Sequence, residues 1–520
     1  MNGARALLQT LVDAGVTVCF ANPGTSEMHF VAALDDVPEM RGVLALFEGV
    51  ATGAADGYAR MTGRPAAVLL HLGPGMANGL ANLHNARRAR SPVLAVVGDH
   101  ATYHKRFDAP LESDIETMAR GVSGWFRASR RTRDVAGDAA DAVAAALGPP
   151  GQVATLVLPA DVSWSEGAAV AAVRPPTAAV AVPDAILADV ADVAGALRSG
   201  EPTVLFLGGR ALRERGLLAA ARIAAATGAA LLCETFPARL ERGAGLPALE
   251  RLPYFAEQAA AKLAPYRHAI LVDAAEPVSF FAYPGKPSEL LPPGCQVHRL
   301  AAGADDVTGA LGALADRLGA THEPPVVAAR RPALPTGPLT PEAVALALGA
   351  LLPDHAIISD EAHTSGLFLA GATAGAPRHD WLMLTGGSIG DGLPVAVGAA
   401  VACPGRKVIC LEADGSAMYT PQSLWTIVRE RLDVTTIIFN NGAYAILRLE
   451  LQRVGAGARG PKADDMLSLS RPPLDFVALA HSMGMSAGRA TTADDFVAQL
   501  RSALAEPGPH LIEAMVPPLM

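Results

Sequence analysis

Short apolar runs of four to seven residues, each followed by a stretch of helical spacing, recur along the whole 520-residue chain. In the first third these runs are Val16–Ala21, Ala66–His71 and Pro92–Gly98, interleaved with helical patterns at Ala4–Ala14, Glu48–Met61 and Asn78–Arg88. A strand without a polar face needs cover on both sides. Helices between parallel strands supply that cover, so the rhythm predicts α/β layers. It returns at Thr203–Leu207 and Ala269–Asp273, with a helix through Ala226 between them. After a helix at Pro341–Leu352 it appears again at Ala356–Ser359, Lys407–Leu411, Thr435–Phe439 and His510–Val516. Two seams interrupt it: the Pro- and Ala-rich stretch Gly167–Pro183, and His322–Pro341 with six prolines in twenty residues. Neither composition suits a core element. The expected fold class is α/β, three successive open parallel-sheet (Rossmann-like) domains at 1–166, 184–321 and 342–520.

Hydrophobic residues make up 51% and charged residues 18%, enough to fill large cores and too apolar for disorder. The 42 basic and 51 acidic residues give a net charge of −9 with no basic block, which argues against nucleic-acid and anionic-membrane partners. Mean hydropathy is +0.28, but Ala and Gly inflate it. Stretches such as Ala142–Ala160 are broken by Gly-Pro and Pro-Pro, so no spanning helix is expected. The first fifteen residues carry Arg5 and Asp13 and lack the apolar core of a secretion signal. Cys19, Cys233, Cys295, Cys403 and Cys410 are scattered singly, without disulfide or zinc spacing, which fits a reducing cytoplasm.

The strongest chemical signal is Glu412-Ala413-Asp414-Gly415-Ser416 followed by Asn440-Asn441-Gly442-Ala443. Each group sits just after an apolar strand, and in an open parallel sheet such strand ends share the ligand-binding edge. A carboxylate, an amide oxygen and a nearby carbonyl are hard donors of the kind Mg²⁺ takes, with phosphate and water completing the octahedron. Gly415 permits close approach, and Ser416 can open a helix whose N-terminus attracts phosphate. Taken singly, each group also reads as an ordinary turn. Two unrelated turns fit their common placement poorly. No GxGxxG follows any of the strands, so a dinucleotide is not expected.

With these motifs the chain resembles the thiamine diphosphate (ThDP) enzymes, whose signature is Gly-Asp-Gly followed some two dozen residues later by Asn-Asn. Ala413 stands here for the first Gly. The resemblance runs over essentially the whole chain and is closest to the acetolactate synthase and benzoylformate decarboxylase group. Asn22-Pro23-Gly24, Phe47-Glu48-Gly49, Ala55–Arg60, Gly73-Pro74-Gly75 and Gly390–Pro394 match in order. It implies Mg²⁺ on Asp414, Asn441 and the Ala443 carbonyl. The cofactor would be held by Gly415, Ser416, His363, Thr364 and Tyr444, with Ile389 as the wedge beneath its bend and the Gly387 carbonyl accepting from its amino group. Glu48 would be the acid at the pyrimidine N1′, in apolar surroundings that favour a shared proton. A solvated acid at a helix start is the plain alternative. Because Glu48 and the diphosphate site lie in different domains, a homodimer or homotetramer with active sites at the subunit interface is implied.

By the same likeness His71 matches a catalytic pocket histidine and Thr25 a catalytic serine, although either could merely satisfy backbone groups. The decarboxylase's second histidine falls on Ala282, and Ile446 and Glu450 replace aryl-pocket residues. Asp108–Glu112 lacks the synthase's Phe-Gln pair, and no Arg-Phe-Asp-Asp segment marks a flavin site, so FAD is not expected. The implied activity is ThDP- and Mg²⁺-dependent decarboxylation of a small 2-oxo acid. The resulting carbanion or enamine is protonated or transferred to a carbonyl acceptor. Alternatives are a non-catalytic ThDP-binding homologue and a flavin-dependent 2-oxo acid oxidase.

Overall fold

The computed structural model describes residues 1–175, 184–455 and 460–518. Among them, strands form three sheets of six, five and seven strands. The first runs Arg41–Leu44, Val18–Ala21, Ala66–Leu70, Val93–Asp99, Val153–Pro159, Trp125–Ala128, all parallel. The second runs Glu250–Arg251, Ala230–Cys233, Thr203–Leu207, His268–Val272, Gln296–Ala301, again parallel. The third runs Ser486–Ala490, His510–Met515, Val434–Asn440, Val408–Ala413, Ile357–Glu361, His379–Met383, Leu240–Arg242. Only its last pairing, Leu240–Arg242 with His379–Met383, is antiparallel. The α/β expectation therefore holds, with one strand from the central part of the chain leaving its own sheet to finish the third.

The central strands of the sheets are buried along their whole length, which is why they read as unbroken apolar runs. Strands with a polar or exposed side, such as Arg41–Leu44, Trp125–Ala128 and Ser486–Ala490, lie at sheet edges and gave no such run. Helix Leu72–Ala89 starts six residues before the expected Asn78. Gly73-Pro74-Gly75 looks like a turn, yet Pro is tolerated in a helix's first turn because the amide it lacks has no partner there. Of the first seam, 167–175 carries no regular element and 176–183 lies outside the described residues. The second seam is extended coil between Leu318 and Pro341, tied to its neighbours by bonds such as Val327 N–H to Leu246 O and Arg330 N–H to Gly375 O.

Two helices join the first part of the chain to the last: Glu48–Thr62 and Gly392–Ala402. They meet through Val50, Ala51, Ala54, Leu393, Val395 and Val397 in one shared core. A side chain at Gly57 would place its Cβ 2.2 Å from Val395 O, and one at Gly398 would meet Ala54 O at 1.8 Å. The helices therefore cross backbone to backbone. Arg60 closes the far end, donating to Asp56 (Nε–Oδ1 2.9 Å), to the Met383 carbonyl (2.7 Å) and to Thr385 Oγ1 (3.2 Å), with Asp391 at 3.5 Å. Burial alone would lower the Arg60 pKa, but the carboxylates of Asp56 and Asp391 outweigh it and raise it. Breaking one side of such a buried pair costs about 3–5 kcal/mol, because the other charge is left stranded.

Gly398→Val should therefore cost roughly 3 kcal/mol or more in urea unfolding, since the obstacle is backbone that has nowhere to move. Gly312→Ala, on a helix where the added carbon meets nothing within 4 Å, should leave stability unchanged or raise it slightly.

Candidate active site

Numbered within its own sheet, the first sheet has strand order 2-1-3-4-6-5, and the third has the same order before its antiparallel addition. In both, the strand order reverses between strands 1 and 3, and in open sheets ligands bind at that crevice beyond the carboxyl ends. In the third sheet the residues after those two strands are His363-Thr364 and Asp414-Gly415-Ser416.

Asp414 is buried, and its carboxylate is held by amides: Gly415 N–H on Oδ1 at 2.8 Å, Gly442 and Asn441 N–H on Oδ2 at 2.7 and 3.1 Å. Burial pushes its pKa up, against the lowering effect of the Gly442, Gly415, Asn441 and Ala443 amides. A carboxylate so placed is pre-oriented for a cation and short of countercharge. Asn441 Oδ1 accepts from Ala443 N–H at 3.0 Å, and the Ala443 carbonyl accepts from Ala445 N–H at 2.9 Å, so each oxygen keeps a free lone pair. Among the described residues no three His, Cys, Asp or Glu side chains gather as a metal-binding group. The oxygens around Asp414 instead form a mixed carboxylate, carboxamide and carbonyl set, of the kind a hard divalent cation with phosphate ligands accepts.

His363 Nε2 lies 2.9 Å from Ser416 Oγ, and its φ of +50° is a strained backbone for a residue with a side chain. Thr364 is half-buried beside it. The expected helix opening at Ser416 is a single turn, Asp414–Ala417, because Pro421 stops it and a new helix starts at Gln422. A phosphate at the N-terminus of a long helix is thus not what the fold offers. Tyr444 packs its ring over Gly415, where an added Cβ would sit 2.4 Å from the ring. Ile389 is half-buried and Gly387 exposed, in the irregular segment Leu384–Asp391 that leads into helix Gly392–Ala402.

The first sheet supplies the other half. Glu48 opens its helix but is only 6% exposed, which removes the solvated alternative; its carboxylate accepts from Asn78 Nδ2 at 3.0 Å. His71 follows the third strand, and its ring makes no capping bond. Its Nδ1 instead lies 2.8 Å from Glu27 Oε2 and 3.3 Å from Ser26 Oγ. Glu27 is buried and also accepts from Gly24 N–H at 2.8 Å. Thr25 is exposed, so the hydroxyl gathered at His71 is Ser26, one residue on. Glu27 and Ser26 escaped the sequence reading because Asn-Pro-Gly-Thr-Ser-Glu looks like a loop, although an acid three residues past Gly24 is a capping pattern.

Glu361 was also missed. Its fully buried carboxylate accepts from the amides of Gly390, Asp391 and Gly392 at 2.8, 2.8 and 2.6 Å. In the central part of the chain Ala282 is exposed, while its neighbour Tyr283 donates to Glu450 Oε2 at 3.0 Å. Arg453 donates to the other oxygen of Glu450 at 2.8 Å, so the acid at the expected aryl position is already paired.

An open α/β chain with two matching switch points, one acidic and amide-lined, one bearing a buried Glu and a Glu–His pair, defines a two-part cofactor site. Comparison with known proteins names the cofactor. Residues 1–119 match the thiamine pyrophosphate enzyme N-terminal TPP binding domain, and 368–514 the thiamine pyrophosphate enzyme C-terminal TPP binding domain. A Mycobacterium tuberculosis (strain H37Rv) protein described as a candidate acetolactate synthase large subunit, IlvX, is 64% identical over 100% of both chains. Benzoylformate decarboxylase of Pseudomonas aeruginosa (strain PAO1) is 31% identical over 96% of both. The solved ThDP-dependent 4-hydroxybenzoylformate decarboxylase of Rhodococcus jostii RHA1 superposes with a TM-score of 0.87 at 26% identity, covering 99% of each chain. The chain belongs to the thiamine diphosphate-dependent enzymes, in the group of acetolactate synthase and benzoylformate decarboxylase. Among the described residues no helix is long and apolar enough to cross a membrane.

Gly415→Ala would drive a methyl into the Tyr444 ring and spread the loop that Asp414 organises. ThDP affinity measured by calorimetry should fall on the order of tenfold or more, with little change in the unfolding midpoint of the protein alone.

Proposed function

We propose that the protein is a ThDP- and Mg²⁺-dependent 2-oxo acid decarboxylase or carboligase. The carrying observation is the Asp414 carboxylate, buried under backbone amides beside Asn441 at the third sheet's switch point. ThDP, when bound, supplies a carbon nucleophile and electron sink for decarboxylation. Asp414, Asn441 and the Ala443 carbonyl hold Mg²⁺. Gly415, Ser416, His363 and Thr364 hold the diphosphate, and Tyr444, Gly387 and Ile389 fix the remainder of the cofactor. Glu48, buried at its helix start, holds a proton at the pyrimidine nitrogen. His71, kept in one orientation by Glu27, delivers or accepts a proton at the substrate. Ser26 takes the place first given to Thr25.

On this reading residues 1–166 bind the pyrimidine end, 342–520 the diphosphate end, and 184–321 separates them. Two copies of the chain complete each site. Exposed apolar side chains flank both halves: Leu46 (47% exposed) two residues before Glu48, Leu367 (66%) after Thr364 and Tyr419 (54%) after Ser416. No flavin is needed. At the middle sheet's switch point the Asp273 carboxylate accepts from Arg210 N–H at 2.9 Å and Arg90 at 2.7 Å, so this crevice is closed by an ion pair of the chain's own. The five cysteines, scattered singly, fit work in a reducing cytoplasm.

Purified protein incubated with ThDP, Mg²⁺ and a panel of 2-oxo acids, with and without acceptor aldehydes, should release CO₂ from at least one. An aldehyde product identifies a decarboxylase and an acyloin a carboligase. No turnover across aliphatic and aryl 2-oxo acids would leave a cofactor-binding protein without catalysis. Glu48→Gln should keep ThDP binding and slow exchange of the cofactor's C2 proton roughly a hundredfold or more, followed by NMR in deuterium oxide. Unchanged exchange would remove Glu48 from the mechanism.

A further inference from the structure

The switch point of the middle sheet gathers charged groups that the proposed reaction does not use. Four segments meet there: the turn Gly208–Arg210 after strand Thr203–Leu207, Glu234 after strand Ala230–Cys233, Asp273 after strand His268–Val272, and Arg90, which caps helix Leu72–Ala89 of the first part of the chain. Asp273 is only 3% exposed. Its Oδ1 accepts from Arg90 Nη1 at 2.7 Å, and its Oδ2 from Arg210 N–H at 2.9 Å with Arg210 Nε at 3.5 Å. Arg210 Nη2 also donates to the Gly303 carbonyl at 2.6 Å, and Arg213 acts on Asp273 from further off. Glu234 lies against the turn: a Cβ at Gly208 would sit 2.9 Å from its Oε1 and 2.7 Å from the Asp273 carbonyl. Arg90 and Asp273 both hold left-handed backbone, with φ of +54° and +51°, an uncommon and strained state for residues with side chains.

Asp273 takes both guanidinia, so among the described residues Glu234 is left without an ion pair. Burial pushes the Glu234 pKa up to about 7; Arg90 and the Gly209 amide work against that shift, and Asp273 with it. We propose that these groups form a pH-sensitive latch between the first and middle parts of the chain. With Glu234 protonated, Arg90 closes on Asp273 and seals the crevice. An ionised Glu234 stands beside a second carboxylate and needs water, and Arg90 gives way to admit it. The closed crevice prefers the protonated acid. The latch is therefore fully shut below the group's ordinary value of 4.5 and loosens as pH rises through about 7. Because Arg90 caps the helix that His71 precedes, the latch holds the far end of an element of the candidate site.

The test uses the full-length wild type, Glu234→Gln, which keeps the shape of the protonated acid and cannot ionise, and Arg90→Ala, which removes the bolt. Hydrogen exchange of the Gly208–Arg210 turn is followed by mass spectrometry across the neutral range and expressed as a protection factor, which removes the pH dependence of exchange itself. Protection in the wild type should fall on the order of tenfold between about pH 6 and pH 8. Glu234→Gln should stay protected throughout, and Arg90→Ala should exchange fast at every pH without a step. A wild type with no step, a step of the same size in Glu234→Gln, or wild-type protection in Arg90→Ala overturns the proposal. Should Glu234→Gln fail to fold, the other two proteins decide: a step in the wild type that Arg90→Ala lacks supports the latch, and any other result overturns it.

Discussion

The backbone-to-backbone crossing of helices Glu48–Thr62 and Gly392–Ala402 is the constraint on which the rest of the molecule depends. It exists because Gly57 and Gly398 present no side chain where the other helix's carbonyls pass, and it is locked by a guanidinium between two acids. One helix begins with Glu48; the other begins just after the segment Leu384–Asp391. Sliding either helix by even a fraction of a turn would displace Glu48 or the segment that carries Ile389. Apolar burial holds the pair together at roughly 1.5–3 kcal/mol per large side chain, but burial alone does not choose a register. The glycines and Arg60 choose it.

The first and third sheets share one strand order, and each uses its switch point in the same way. In each, a histidine ring meets a hydrogen-bonding partner from the neighbouring strand's loop: His71 with Glu27 in the first, His363 with Ser416 in the third. The shared geometry does not dictate shared chemistry. The first loop is built around a buried carboxylate and the third around a carboxylate dressed in amides, so one suits proton transfer and the other charge neutralisation.

Much of this was legible in the residues. Buried central strands announced themselves as apolar runs, and Asp414 with Asn441 stood at the ends of two of them. What stayed hidden has physical reasons. Edge strands such as Ser486–Ala490 need no unbroken apolar face. Leu240–Arg242 joins a distant sheet, which no local pattern encodes. Ser26 rather than Thr25 reaches His71 because a one-residue difference in a 3₁₀ turn swings a side chain to another face.

The ground beneath the Ile389 segment is an unusual concentration of buried acid: Glu361, Glu412, Asp391 and Asp56, with Arg60 the cation that pairs with the two aspartates. Such a group is tolerable only if charge is divided unequally. Glu361 receives three amides at the start of an eleven-residue helix, where backbone dipoles favour an anion. Glu412, equally buried, faces it from the adjacent strand; burial, then the Glu361 charge, pushes its pKa well up. Asp391 is raised by burial as well, against the pull of Arg60. The amides of the Gly390–Gly392 turn thus all converge on Glu361. The segment is held from within the chain at both ends: Glu361 takes the amides of Gly390–Gly392, and Thr385 lies between the Arg60 guanidinium and the Asn85 carbonyl.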